Sequence, residues 1–96
     1  MAATKLNEAQ VAAELAKLPG WAVQDGKLRR VFAFKDFTHA FAFMTAVALT
    51  AECMNHHPDW SNSWNKVTIE LVTHSAGGLT ANDVDLAGKI QQLFAA

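Results

Sequence analysis

Apolar residues recur along this chain first at helical spacing, then in alternation, then at helical spacing again. Val11, Leu15 and Leu18 stand three to four positions apart, the spacing of one helix face. Ahead of them, Asn7 and Gln10 have the form of a capping box, and Leu6 and Val11 that of a hydrophobic staple. Pro19-Gly20 closes the run, so a first helix is predicted from Glu8 to Leu18. Trp21 and Val23 alternate with polar neighbours. Asp25-Gly26 is a two-residue hairpin signal, with a return strand from Lys27 to about Phe34. Leu28, Phe32 and Phe34 share a face of that strand with Arg30, which interrupts the pattern and implies an exposed hairpin end.

Asp36 is the next cap. Phe37, Phe41, Met44, Ala48 and Ala51 form one helical stripe and Phe43, Val47 and Met54 a second. A helix apolar on two sides is covered on two sides, the second by a sheet edge, another helix or another subunit. It ends near Asn55, because Pro58 disfavours helical dihedrals at His57. Trp60 to Trp64 reads as a short strand and Asn65-Lys66 as a turn. Val67, Ile69, Leu71 and Thr73 then alternate with Thr68, Glu70, Val72 and His74, a strand pattern broken by Gly77-Gly78. Thr80 with Asp83 repeats the capping box and Leu79 with Val84 the staple. A last helix follows, carrying Val84, Leu86, Ala87, Ile90, Leu93 and Phe94. The order α-β-β-α-β-β-α describes an α+β fold, one antiparallel sheet with helices on one face. The other face is left wet or used for association.

Ninety-six residues support one core, so residues 1–96 are read as a single domain. The 51% hydrophobic content excludes a disordered tail. Eight basic and nine acidic side chains, with no block of either sign, argue against a nucleic-acid-binding stripe. The single cysteine, Cys53, fits a reducing compartment. Met1 to Gln10 lacks the basic flank and apolar run of a signal peptide. The apolar stretch Ala40 to Ala51 is shorter than the ~20 residues of a membrane span. The expectation is a soluble cytoplasmic domain.

The candidate chemistry is histidine chemistry. His56-His57 precede Pro58, and His74 falls at a strand end. Imidazole, with an unperturbed pKa of ~6.5, both gives and takes protons near neutrality. Trp60 and Trp64 can wall a flat ligand, although by default they are core or interface residues. His39 is assigned no role. By themselves, Glu52 reads as a solvated helix position, Cys53 as an inert small apolar residue, and Thr80 and Asp83 as caps. Adjacent residues of an extended segment point opposite ways, so His56 and His57 do not readily share a metal ion. No serine sits in a nucleophile elbow, and Gly77-Gly78 alone is a turn rather than a phosphate loop.

Glu52, then His56-His57-Pro58 after three residues, then Trp64, His74 and Asp83 make a spaced set. It resembles the pterin-4a-carbinolamine dehydratases. Phe34-Lys35-Asp36-Phe37 and Phe43 to Ala48 are similar to that family's central helix, so the likeness covers nearly the whole chain. The resemblance implies four antiparallel strands under three helices. It also implies a dehydratase that removes water from 4a-hydroxytetrahydrobiopterin to give quinonoid dihydropterin, in tetrahydrobiopterin recycling. By position it makes His56, His57 and His74 the catalytic residues, with pterin contacts from Asn55 to His57 and from Val72, Thr73, His74 and Ser75. Asn55 stands where animal members commonly have aspartate, which removes a charge near the histidines. The family is commonly a tetramer built from two dimers and needs no metal or organic cofactor. Its animal members also serve as dimerisation cofactors of a homeodomain transcription factor, the alternative reading here.

Overall fold

A computed structural model describes residues 3–96, so the first two residues of the polar Met1–Gln10 stretch lie outside the described residues. The elements are α1 (Glu8–Leu15), β1 (Ala22–Gln24), β2 (Lys27–Ala33), α2 (Phe37–Met54), β3 (Asp59–Ser63), β4 (Lys66–Leu71) and α3 (Ala81–Ala95). A single 3-10 turn, His74–Ala76, stands between β4 and α3. The expected α+β order is therefore the observed one.

Both capping boxes form. Asn7 Oδ1 accepts the Gln10 N–H at 2.8 Å while Gln10 Oε1 accepts the Asn7 N–H at 2.9 Å. The first helix ends at Leu15 rather than Leu18. Proline at position 19 disfavours helical dihedrals at Leu18, and the chain tightens into i→i−3 bonds, Lys17 to Glu14 and Leu18 to Leu15, each 3.0 Å. Leu18 is buried all the same.

The strands lie in the order β1-β2-β4-β3, all antiparallel. Asp25 and Gly26 both have positive φ, 53° and 77°, as the twist-matched two-residue hairpin requires. Leu28 pairs with Leu71, Arg30 with Ile69 and Phe32 with Val67. This row faces the helices, where its apolar members join Phe43, Val47, Leu86 and Ile90 in one core. On the open face the register aligns Arg29, Glu70 and Asp59, with Arg29 Nε 3.7 Å from Glu70 Oε2. Of the two options for that face, its polar composition favours water.

Arg30 does not mark an exposed hairpin end. It is half-buried, donating to Pro19 O at 2.8 Å and to Gln91 Oε1 of α3. Its guanidinium lies 4.5 Å from the Phe32 ring centroid and 5.0 Å from that of Phe94, a cation–π arrangement that keeps the charge satisfied inside. Gly20, at φ 86°, is required beside it: a Cβ there would come within 2.7 Å of the guanidinium carbon.

α2 is one helix of 18 residues, longer than the apolar run Ala40 to Ala51. By length and composition it is long and apolar enough to cross a membrane. Its buried residues, Ala40, Phe43, Val47 and Ala51, nonetheless pack into the sheet core as a core helix does. The two-stripe expectation is thus half met. The Phe43–Val47 stripe, joined by Ala51, goes inward. Phe37 and Phe41 are 46% and 52% exposed, and Leu49, outside both stripes, is 65% exposed.

At the start of α2, Asp36 Oδ1 accepts the His39 N–H at 2.9 Å and stands 2.6 Å from His39 Nδ1. The backbone bond first, then the ring, holds this carboxyl below the usual carboxylate range. A depressed folded-state pKa gives stability that is present above the unfolded pKa and lost as pH falls through the folded one. Asp36→Ala is therefore expected to lower Tm at neutral pH. The gap to the wild type should close as melts are repeated at progressively lower pH below the ordinary aspartate range. An unchanged gap would remove the charge from the cap.

Candidate active site

The end of α2 sets up the site. Asn55 adopts the left-handed conformation, φ 52° and ψ 39°, a conformation that asparagine tolerates better than most residues. The His56 N–H then reaches back to Ala51 O at 3.1 Å, closing the helix in the manner of a Schellman turn. The chain leaves through His57-Pro58 into β3. This local geometry turns His56 toward α3 and leaves His57 outside.

Each site histidine has its own carboxylate. His56 Nε2 donates to Asp83 Oδ1 at 2.6 Å, with side-chain exposures of 13% and 0%. His57 Nε2 donates to Glu52 Oε1 at 2.7 Å, at the surface. His74 Nε2 lies 3.7 Å from Asp59 Oδ2, and the same oxygen is 3.7 Å from Lys27 Nζ. Asp59 enters β3 two residues after His57. Asp83, on the first turn of α3, also takes a hydrogen bond from Thr73, the residue before His74. The histidines are thus gathered from two distant stretches onto one rim, bounded by the end of α2, the start of β3, the β4–α3 loop and the start of α3.

That loop is shorter in strand than the alternation implies. β4 ends at Leu71, Thr73 makes an isolated bridge with Gly78, and His74 opens the 3-10 turn. The inward–outward alternation persists because the backbone stays extended. The ladder stops because no paired residue of β2 or β3 lies beyond Leu71. His74 and Ser75 are exposed, Val72 is half-buried and Thr73 is buried. Asn55 is exposed beside His56.

Trp64 does not wall this site. The second hairpin turns at Trp64-Asn65, one residue earlier than expected, with Trp64 at φ 50° and Ser63 paired to Lys66. The turn is fixed there because Asn65 Nδ2 and Asn65 O both bind the Phe34 backbone, at 2.9 and 2.8 Å. Trp64 is therefore at the far end of β3 from Asp59, about 16 Å along a strand that rises ~3.3 Å per residue. Trp60 packs partly against the core.

Two further residues belong to the site although, one by one, their patterns explained them otherwise. Asp83 serves as a helix cap and as the partner of His56. Glu52 is exposed on α2 but bonded to His57. The signal available was the spaced set as a whole, since nothing local links Asp83 to a histidine 27 positions away. His39 is occupied by the cap of α2, and Cys53 is exposed. Among the described residues, no group of three or more histidine, cysteine or acidic side chains is arranged to hold a metal ion.

Comparison with known proteins finds relatives along nearly the whole chain. Proteins from Solibacter usitatus and Prochlorococcus marinus (strain MIT 9303), both provisionally named pterin-4-alpha-carbinolamine dehydratases, are each 52% identical to this chain. The first match covers 96% of this chain and 97% of its relative, the second 97% of each. A crystal structure from Brucella melitensis, described as a transcriptional coactivator/pterin dehydratase, superposes with a TM-score of 0.90 at 41% identity, covering 94% of this chain and 98% of that one. A pterin dehydratase-like RuBisCO assembly factor of the alpha-carboxysome shares the fold at a TM-score of 0.65 and 22% identity, over 79% of this chain and 88% of its own. Residues 4–93 match the family model for pterin 4 alpha carbinolamine dehydratase, and the chain belongs to that family.

Proposed function

We propose that this protein is a hydro-lyase that dehydrates 4a-hydroxytetrahydrobiopterin to quinonoid dihydropterin, in tetrahydrobiopterin recycling. The observation that carries the reading is the set of carboxylate-paired histidines on one rim. Loss of water requires a proton delivered to the 4a-hydroxyl as the C4a–O bond breaks. The N5 proton leaves while the N5 electron pair forms the new C=N bond. A charged imidazole and a neutral one supply those two transfers, each typically worth about 10²–10⁴-fold. His56 and His74 are assigned to the 4a-hydroxyl and its protons, and His57 to positioning the ring and assisting at N5.

Asn55 and the segment Val72 to Ser75 border the histidines and are assigned to pterin contact. In that segment the Thr73 hydroxyl is turned inward, so contact falls to Val72, His74, Ser75 and the backbone. The test is direct. Freshly generated 4a-carbinolamine is mixed with the protein and absorbance is followed against spontaneous decay. Acceleration proportional to protein concentration is expected, and decay at the uncatalysed rate would end the reading.

A second reading rests on a separate observation, the outward face of α2. Phe37, Phe41 and Leu49 are exposed there, and Phe41, Met44, Ala48 and Leu49 line a groove with Trp60. An apolar face of this kind marks an association surface, and we assign it to a homo-oligomer, a dimer or tetramer. A coactivator function would use the same face. Light scattering separates the two, since a stable homotetramer occupies the face and a monomer leaves it free.

A further inference from the structure

The buried groups behind His56 form a hydrogen-bond chain with one possible direction. Asp83 Oδ2 accepts from Thr73 Oγ1 at 2.8 Å and from the Thr80 N–H at 2.9 Å. Thr73 Oγ1 also lies 2.8 Å from Thr80 Oγ1. A hydroxyl has one proton to give. If that of Thr73 goes to the carboxylate, the bond between the hydroxyls must use the proton of Thr80. Thr80 Oγ1 can still accept the Asn82 N–H, which it does at 3.2 Å. The order is Thr80 to Thr73 to Asp83, and every proton is used once.

Two consequences follow at the carboxylate. Asp83 Oδ2 already accepts two hydrogen bonds and Oδ1 faces the His56 ring, so the carboxylate cannot rotate without breaking bonds. A carboxylate oxygen only accepts, so the bond to Oδ1 requires a proton on His56 Nε2 in the neutral ring as well as in the charged one. That leaves Nδ1 as the nitrogen whose lone pair is free. Thr73, Thr80 and Asp83 are 8%, 0% and 0% exposed, so water has little access to replace a lost donor. Thr73 also ties this chain to the other histidine segment. Its backbone N–H donates to Gly78 O at 3.1 Å, and its carbonyl accepts the Ala76 N–H at 3.0 Å, closing the loop that presents His74.

We infer that Thr73 is a positioning residue: its hydroxyl, through Asp83, locks His56 as the Nε2–H tautomer with Nδ1 free to exchange the substrate proton, while its backbone sets the loop carrying His74. The tautomer is a property of the unliganded protein. Only its effect on turnover rests on the dehydratase reading.

The test is nitrogen-15 NMR of the histidine rings in the wild type and in Thr73→Val and Thr73→Ser, with dehydration kinetics beside it. In the wild type, neutral His56 should show one tautomer, protonated on Nε2, with a slowly exchanging ring N–H. Thr73→Val should give averaged ring shifts and a fast-exchanging N–H. Its kcat should fall about 10–100-fold, as for loss of a group that orients a functional side chain, with little change in KM. Thr73→Ser should restore both. Thr73→Ala takes the place of valine should valine prevent folding. A wild-type ring protonated on Nδ1, or a folded hydroxyl-free variant with unaltered ring signals, would overturn the inference. Ring signals that respond as expected in a protein without dehydratase activity would uphold the positioning role and remove the reaction instead.

Discussion

His74→Ala is expected to leave the protein folded and to lower kcat by about 10²–10⁴-fold, the usual worth of one general acid or base. The ring is 77% exposed and its nearest ionic partner, Asp59 Oδ2, is 3.7 Å away. Exposed pairs of this kind contribute little to stability, so the melting curve should move by no more than about 0.5 kcal/mol. KM should rise far less than kcat falls, because the lost interaction belongs to the transition state. Activity and fold are thus separable at this position. A variant with wild-type turnover would take His74 out of the chemistry and leave it as an ordinary loop side chain.

How far the sequence revealed this arrangement depended on the range of the interaction. Local rules worked. Asn7-Gln10, Asp36, Asp25-Gly26 and Thr80-Asp83 each form the cap or turn that their spacing implies, because those contacts close within three residues. Alternation correctly oriented Val67, Ile69, Leu71 and Thr73 inward. It could not say that the ladder stops at Leu71, since pairing depends on where the partner strands begin. The same limit explains Arg30. Its charge on an inward face reads as exposure until Pro19, Gln91 and two aromatic rings are brought around it by other elements. Trp64 is the converse case. It is close to the histidines in sequence but at the opposite hairpin end, because the Asn65–Phe34 bonds fix the turn. The family resemblance selected the residues of the rim, whereas the pairing of each histidine with a carboxylate is a feature of the fold.

The most damaging single change in this protein should be Asp83→Ala. The carboxylate is fully buried, caps α3 through the Thr80 N–H, accepts from Thr73 and holds His56. Its removal strands three donors, and only His56, 13% exposed, lies near solvent that could satisfy one of them. Breaking a buried charged pair typically costs about 3–5 kcal/mol, out of a total near 5–15 kcal/mol for an ordinary domain. Urea unfolding followed by circular dichroism should therefore show a midpoint lowered by a large fraction, and turnover should fall with it. Asp83→Asn separates the two effects. The amide fills the same space, but it carries no charge and turns one acceptor oxygen into a donor that opposes either Thr73 and Thr80 or the His56 ring. It should recover part of the stability while kcat stays low, because the charge behind His56 is gone. Equal activity in the asparagine variant and the wild type would make Asp83 a helix cap and nothing more.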